Sequence, residues 1–498
     1  MKKALLLCAL CISSLSFGQS FDCIGDEIIG IGLAGIYPCN GYDLKSQITL
    51  SEIAAASGGV ASTGSDSWGW TDPDSGREFA IFTYSHGTAF IEITDPVNPI
   101  ILGTIPVPNA TPQSLWHDVK VYQNHAFIVS EDAGMGMQVF DLTRLLNVSN
   151  PPEVFTLDAH DTSFGSAHNI VINEETGYAY PVGTRTADDS ARLYDGGPLF
   201  INIQDPTNPI NEGGFDANLV GINGYSHDAQ VVIYDGPDPD YQGREIYLGS
   251  NEETLIILDI TDKQNPIFIS ELTYDSFSYT HQGWFTEDKR FFLLGDELDE
   301  IDNGFFTRTI IYDLEDLDNP LIHFIFEGHS TATDHNGYVK DDKFYLASYT
   351  AGLRVYDISD IENRNMTEIG FFDTFPPSDV AGTAALWNVY PYFPSGNIIL
   401  SDFDAGLFVV SPSETLNVPN NNILTSFTLG PNPSKQFTTI QAPQNNINQI
   451  EVYSILGERI LLEQNLKTDY FKIDTSKLPS GTYLVKINSK FTKKLLVQ

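Results

Sequence analysis

Apolar and polar residues alternate in short runs along most of the chain, and Gly, Pro, Asn and Asp break the runs at close intervals. That period of two predicts short β-strands joined by turns, with no long helical stripe. The runs fall into a unit that repeats: a polar head, a strand, a turn, a second strand ending in acid or hydroxyl residues, and a third strand closing on Asp-x-x-x-Asn-Pro. Third strands begin at Ala89, Met137, Leu199, Leu255, Thr309, Leu353 and Leu407, as in "AFIEITDPVNP" and "LFINIQDPTNP". Heads fall at Trp68, His117, His168, His227, His281, His335 and Asn388, spaced 49, 51, 59, 54, 54 and 53 residues apart.

Repeats of this length with four strands each predict the blades of a β-propeller. The expectation is therefore an all-β chain with a seven-bladed β-propeller over residues 67–411. The last repeat lacks a fourth strand after Val410. "SQITLSEI" from Ser46 supplies one, closing the ring and covering an exposed sheet edge.

The flanks differ from the repeats. Residues 1–19, "MKKALLLCALCISSLSFGQ", have two lysines, an apolar run and small residues before Gln19, the layout of a cleavable secretory signal. Residues 20–66 then hold Cys23 and Cys39, close together in an exported chain, which predicts a disulfide. Residues 412–423 read as a polar linker, and 424–498 as a short all-β module. No later stretch is apolar enough to predict a transmembrane segment.

Charge narrows the partners. The chain carries 66 acidic and 26 basic residues. The acids concentrate in the body, which stands at −46 once the signal lysines and the +4 of residues 424–498 are set aside. An acidic body repels nucleic acid and anionic lipid and attracts cations.

The C-terminal module, with "GPNPSKQFTTI", "VYSILGERI", "LPSGTYLVKI" and the basic end "FTKKLLVQ", resembles the C-terminal sorting domain of type IX secretion cargo. The resemblance implies an immunoglobulin-like β-sandwich, the type IX secretion machinery as partner, and a secreted or surface-anchored location. The body is similar to the choice-of-anchor B family of propellers with Leu-Val-Ile-Val-Asp repeats, through "YPCNGYDL", "GSDSWGW", "GTAFIEITDPVNP", "SAHNIVINEETGYAY", "SHDAQVVIYDGPDPDYQGREI" and "THQGWFTED". That family implies a body attached to varying anchors and no settled activity.

In a propeller the head of each first strand and the end of each second strand share one face. His117, His168, His227, His281 and His335 are thus expected at one channel mouth, with Asp118 and Asp228 beside two of them. Second-strand ends add Glu131, Glu252, Asp296 and Glu297. Imidazoles with carboxylates suit a divalent transition metal such as zinc, and an open coordination position activates water. The alternative is structural, each histidine capping its strand by bonding to the neighbouring blade.

Two acidic stretches, "DGPDPDYQGRE" from Asp235 and "DELDEIDNG" from Asp296, offer oxygens for calcium but lack the helix-loop-helix spacing. No Gly-x-Ser-x-Gly elbow and no Gly-x-x-x-x-Gly-Lys cradle is present. The reading is an exported monomeric scaffold that binds an extracellular ligand or protein, with a metal-dependent extracellular enzyme as alternative.

Overall fold

Among the described residues, seven sheets, antiparallel except for the short parallel edge strand Glu153–Val154, follow one another along the first of two compact units, Met1–Ser413 and Glu414–Gln498. The computed structural model describes residues 20–24, 26–29, 36–58, 63–108, 114–413, 428–442, 447–454, 459–488 and 491–498. The expected signal at 1–19, and residues 414–423 of the expected linker, lie outside them.

The first strands of the seven sheets are Gly64–Thr71, His117–Tyr122, Asn169–Asn173, Asp228–Ile233, Thr280–Phe285, Gly337–Lys340 and Leu386–Tyr390. Each lies against the next, and Leu386–Tyr390 lies against Gly64–Thr71, so the series closes on itself. An apolar core fills every gap between neighbouring sheets. Phe79, Ile81 and Phe90 of the first sheet, for example, meet Val119, Ile128 and Phe140 of the second. Phe82 and Ala80 of the first meet Ile399 and Val409 of the seventh. Burial on both faces explains why second strands such as Glu78–Tyr84 are buried along their whole length.

The seventh sheet takes its fourth strand from the beginning of the chain. Tyr42–Ile48 pairs antiparallel with Gly406–Pro412, Leu44 opposite Val410 and Ile48 opposite Leu407. This corrects the expected strand from Ser46 to Ile53: pairing ends at Ile48, and Leu50–Ser57 is an α-helix. The reason is a local signal inside "TLSE". Thr49 caps the helix by accepting from the Glu52 amide, and the Glu52 side chain accepts from the Thr49 amide.

Further strands thicken the sixth sheet. Ile36–Asn40 pairs with Thr367–Phe372, and Glu27–Ile29 pairs with Ile36–Asn40. Cys39 of that added strand is disulfide-bonded to Cys23. Pairing also moves two expected boundaries. The first sheet starts at Gly64 rather than 67, and Pro412 is still in a strand rather than in the linker.

In the second unit, Thr428–Gly430, Phe437–Gln441 and Tyr470–Asp474 form one sheet. Ile447–Ser454, Arg459–Thr468, Gly481–Ile487 and Phe491–Val497 form another. Ile440 and Ile473 of one share a core with Val452, Val485 and Leu495 of the other. Among the described residues no helix is long and apolar enough to cross a membrane.

Candidate functional site

The heads of the first strands bring four imidazoles into an arc. Ring centroids stand 4.1 Å apart for His168 and His227, 4.2 Å for His227 and His281, and 4.3 Å for His281 and His335. Trp387 continues the arc 4.3 Å from His335. It occupies the histidine register in the seventh sheet. His117 stands outside the arc: its Nε2–H donates to the Ser114 carbonyl at 3.1 Å, and Asp132 lies 3.6 Å away.

Backbone carbonyls and a carboxylate set the ring tautomers. Nδ1–H of His227 donates to the His281 carbonyl at 3.3 Å, and Nδ1–H of His335 to the Trp387 carbonyl at 2.6 Å. Nδ1–H of His168 donates to Glu131 Oε1 at 2.7 Å. Each of these oxygens can only accept, so Nδ1 of all three rings carries a proton, and in a neutral ring Nε2 then keeps its lone pair. His281 differs from its neighbours. It is 1% exposed, and neither ring nitrogen has a hydrogen-bond partner.

Glu297 reaches this arc from the end of a second strand. Its Oε1 accepts from Tyr349 O–H at 2.6 Å, its Oε2 lies 3.6 Å from His281 Nε2, and Oε1 lies 4.0 Å from His335 Nε2. One donor atom each from His227, His281 and Glu297 lie within 4.8 Å of one another. A transition ion with bonds of about 2.0–2.2 Å engages such a set after a small inward rotation.

Burial governs the charges. His227 and His281 are held well below the usual imidazole range by burial and by the neighbouring rings. Burial brings His335 down to about 3. His227, His281 and His335 are therefore neutral, the form that ligates metal. Burial also raises Glu297, against the Tyr349 bond. Glu131 is lowered, because the bond and charge of His168 outweigh its burial.

Above the arc lies a cavity of about 420 Å³. Its polar lining includes His168, His227, Glu131 and Glu297, and its walls are aromatic: Trp116, Tyr225, Tyr279, Tyr349, Trp387 and Phe403. Apart from Trp387, which stands beside the last head at Asn388, the aromatics went unread in the sequence. Two had a visible signal, since Tyr225 and Tyr279 each stand two residues before a head histidine, in "YSH" and "YTH".

The other expected site residues are employed elsewhere. Asp296 accepts from the amides of Ser278 and Tyr279, both at 2.7 Å, and from Tyr274 O–H at 2.8 Å, so it ties down the loop before Thr280. Glu252 accepts from Tyr279 O–H at 3.3 Å and does not line the cavity. Asp118 binds Lys120 Nζ at 2.6 Å and the Ile170 amide at 2.9 Å, joining the second sheet to the third. Asp228 accepts from the Ala229 amide at 2.6 Å.

Asp118 and Asp228 belong with Asp66, which the head at Trp68 had hidden. Asn388 donates to Asp66, as does Asn336 at 3.3 Å, so the first-sheet head is Ser65-Asp66. Burial and Asp118 push Asp66 well above the carboxylate range, and burial lifts Asp228 to about 7. Lys120 is raised, because Asp118, Asp66 and Asp228 outweigh its burial. The stretch from Asp235 is a saturated turn: Asp238, close to Asp316 and Asp318, already accepts from the amides of Asp240 and Leu317.

Residues 428–498 match the family described as a secretion system C-terminal sorting domain. That domain directs export by the type IX system, and the chain is accordingly a cell-surface or secreted protein. No curated protein matches the sequence. The chain is similar in structure to PorZ, a surface component of the type IX secretion system of Porphyromonas gingivalis. The match has 12% identity and a TM-score of 0.43, covering 87% of this chain and 59% of PorZ. This chain thus spans under two thirds of that protein's length.

The β-propeller domain of Cps50 (Swd1) from Myceliophteria thermophila aligns at 9% identity and a TM-score of 0.45, over 75% of this chain and 99% of that one. A functionally unknown protein of Desulfotomaculum acetoxidans aligns at 12% and 0.40, over 60% of this chain and 84% of that one. At these scores the likenesses define neither fold detail nor function.

Proposed function

We propose that the first unit is a seven-bladed β-propeller of the choice-of-anchor B type, carried outside the cell by an immunoglobulin-like sorting sandwich. It acts there as a binding scaffold. A divalent transition metal held by His227, His281 and Glu297 forms the floor of the cavity, and a small extracellular ligand completes its coordination.

One observation carries this reading: the buried His281 ring has both nitrogens unpartnered, beside Glu297 and His227. A buried polar group without a partner costs about 1–3 kcal/mol, and a metal ligand offsets that cost. The carbonyl bonds at Nδ1 of His227 and His335 also cap neighbouring strands, as the structural alternative expects. The two roles are compatible, because capping uses Nδ1 and leaves Nε2 for an ion.

Metal analysis of the purified mature protein tests the proposal. About one zinc or similar ion per chain is expected, lost in His227→Ala/His281→Ala. A metal-free protein whose double variant only melts at lower temperature leaves these histidines as caps. Hydrolytic turnover that follows metal content would instead favour the enzymatic alternative.

A further inference from the structure

The floor of the cavity accepts hydrogen bonds and gives almost none. Nδ1–H of His168 and of His227 is committed to Glu131 and to the His281 carbonyl, so in a neutral ring Nε2 remains as an acceptor. Glu131 and Glu297 accept as carboxylates, and the hydroxyl protons of Tyr349 and Tyr279 are already given to Glu297 and Glu252. Among the described residues no lysine or arginine lines the cavity.

An exposed indole stands beside these acceptors. Trp116 lines the cavity and is 42% exposed. The Glu131 amide donates to the Trp116 carbonyl at 3.2 Å, which sets the two residues side by side at the mouth. Other aromatics of the wall are engaged: Arg192 lies 4.2 Å over the Tyr225 ring, Tyr279 abuts His227, and Trp387 stacks on Phe403. Among the described residues no ring or cation packs on the Trp116 indole.

Aromatic packing closes the channel beneath the arc. Trp68 of the first sheet meets Tyr338 of the sixth at 5.7 Å, a contact that skips the seventh sheet and is made across the axis. Trp284 of the fifth packs on the same Tyr338 at 4.9 Å. A ligand therefore enters from the arc side and presents one end.

These features sort the ligand classes. An anion meets no cation in the lining, since Arg185 and Arg192 act on Glu131 from outside it. An organic cation is repelled by the dication of the floor, and a wholly apolar body leaves buried acceptors without donors. A neutral body edged with O–H donors and carrying one apolar face answers both floor and wall. A pyranose sugar has both, because the C–H groups of one face pack on an aromatic ring while its hydroxyls donate at the edge.

We propose that the cavity binds the terminal sugar of a neutral extracellular glycan. The C–H face of the sugar packs on Trp116, and one hydroxyl donates to Glu131 or to Nε2 of His168. A second oxygen completes the coordination of the ion held by His227, His281 and Glu297, a contact that rests on the metal-binding reading above.

The test places the full mature chain on an array of neutral and anionic glycans. The best binder is then titrated calorimetrically before and after EDTA treatment, with metal content measured on the same samples. Binding to neutral glycans that share one terminal sugar is expected, with that free monosaccharide as competitor; EDTA should weaken it and zinc chloride restore it. Trp116→Ala should weaken binding about tenfold or more, with metal content and Tm unchanged. A chain that binds no neutral glycan overturns the inference, and one that does so while carrying its ion leaves the metal floor standing. A metal-free chain that binds the same glycan removes the metal floor and keeps the sugar site. Binding that Trp116→Ala does not weaken places the glycan elsewhere and overturns the proposal.

Discussion

Nδ1–H of His335 donates to the backbone carbonyl of Trp387 at 2.6 Å while the two rings pack 4.3 Å apart. An indole thus terminates a row of imidazoles, and one hydrogen bond fixes both the tilt and the tautomer of the last one. Row and cavity share one wall, so chemistry at the floor is bounded by aromatic surface.

His117, outside the row, supplies a pH signature. Burial lowers it to about 4, against 6.5 for a free imidazole. Between these values the unfolded chain binds a proton that the folded chain refuses, so stability falls as pH drops from about 6.5 to about 4. The loss reaches at most about 3 kcal/mol. Urea unfolding at pH 7.5 and 4.5 should show wild type losing stability relative to His117→Gln on acidification. A parallel loss in both proteins would remove His117 as the source. The comparison needs the variant, because Asp228, lifted to about 7, acts with the opposite sign.

Glu245 is a buried acid with every need met. Asn173 Nδ2 at 2.7 Å, Thr176 O–H at 2.8 Å and Tyr180 O–H at 2.5 Å donate to its Oε1, and Lys263 Nζ donates to Oε2 at 2.6 Å. Lys263→Met leaves the carboxylate without its counterion and should cost about 3–5 kcal/mol in chemical denaturation. A loss below 1 kcal/mol would mean that the three remaining donors suffice.

Gly406 sits at φ +95°, and an added Cβ would stand 2.3 Å from the Ile48 carbonyl oxygen. Gly406→Ala should destabilise the first unit by about 2–4 kcal/mol. Limited proteolysis should then cut near residues 42–48 before any other site. Unchanged cleavage kinetics would show that the closing strand tolerates the shift.

Removing residues 424–498 should leave the first unit folded and retained in the periplasm. Fractionation of cells expressing the truncated chain, with a folded-state check by circular dichroism, measures this. Secretion at the normal level would remove the export role of the domain at residues 428–498.

Much of this architecture was written in the repeat. The third strands and five histidine heads follow from period and spacing, because strands buried on both faces keep strong apolar runs. The first head was obscured by irregular pairing: register shifts between Gly64 and Ser67, and the eye settles on Trp68. That indole instead packs under Lys120 Nζ at 4.6 Å and beside Tyr390.

Site membership was harder to read than position. Asp118, Asp228 and Asp296 stand near the expected places, yet the oxygens of Asp118 and Asp296 are committed to amides, Lys120 or a tyrosine, and Oδ1 of Asp228 to the Ala229 amide. Composition cannot tell a free carboxylate from a saturated one. Nor does strand periodicity reach Tyr349 or Phe403, which follow second-strand ends where the alternation has stopped.

The strand Gly406–Pro412 is gripped on both sides, by Ile398–Asp402 and by Tyr42–Ile48, and the chain continues from it toward the second unit. Displacing this strand therefore breaks two ladders of hydrogen bonds, one of them to a strand from the beginning of the chain. The two ends of the first unit are thus held in one sheet, and neither strand leaves it without stripping hydrogen bonds from the other.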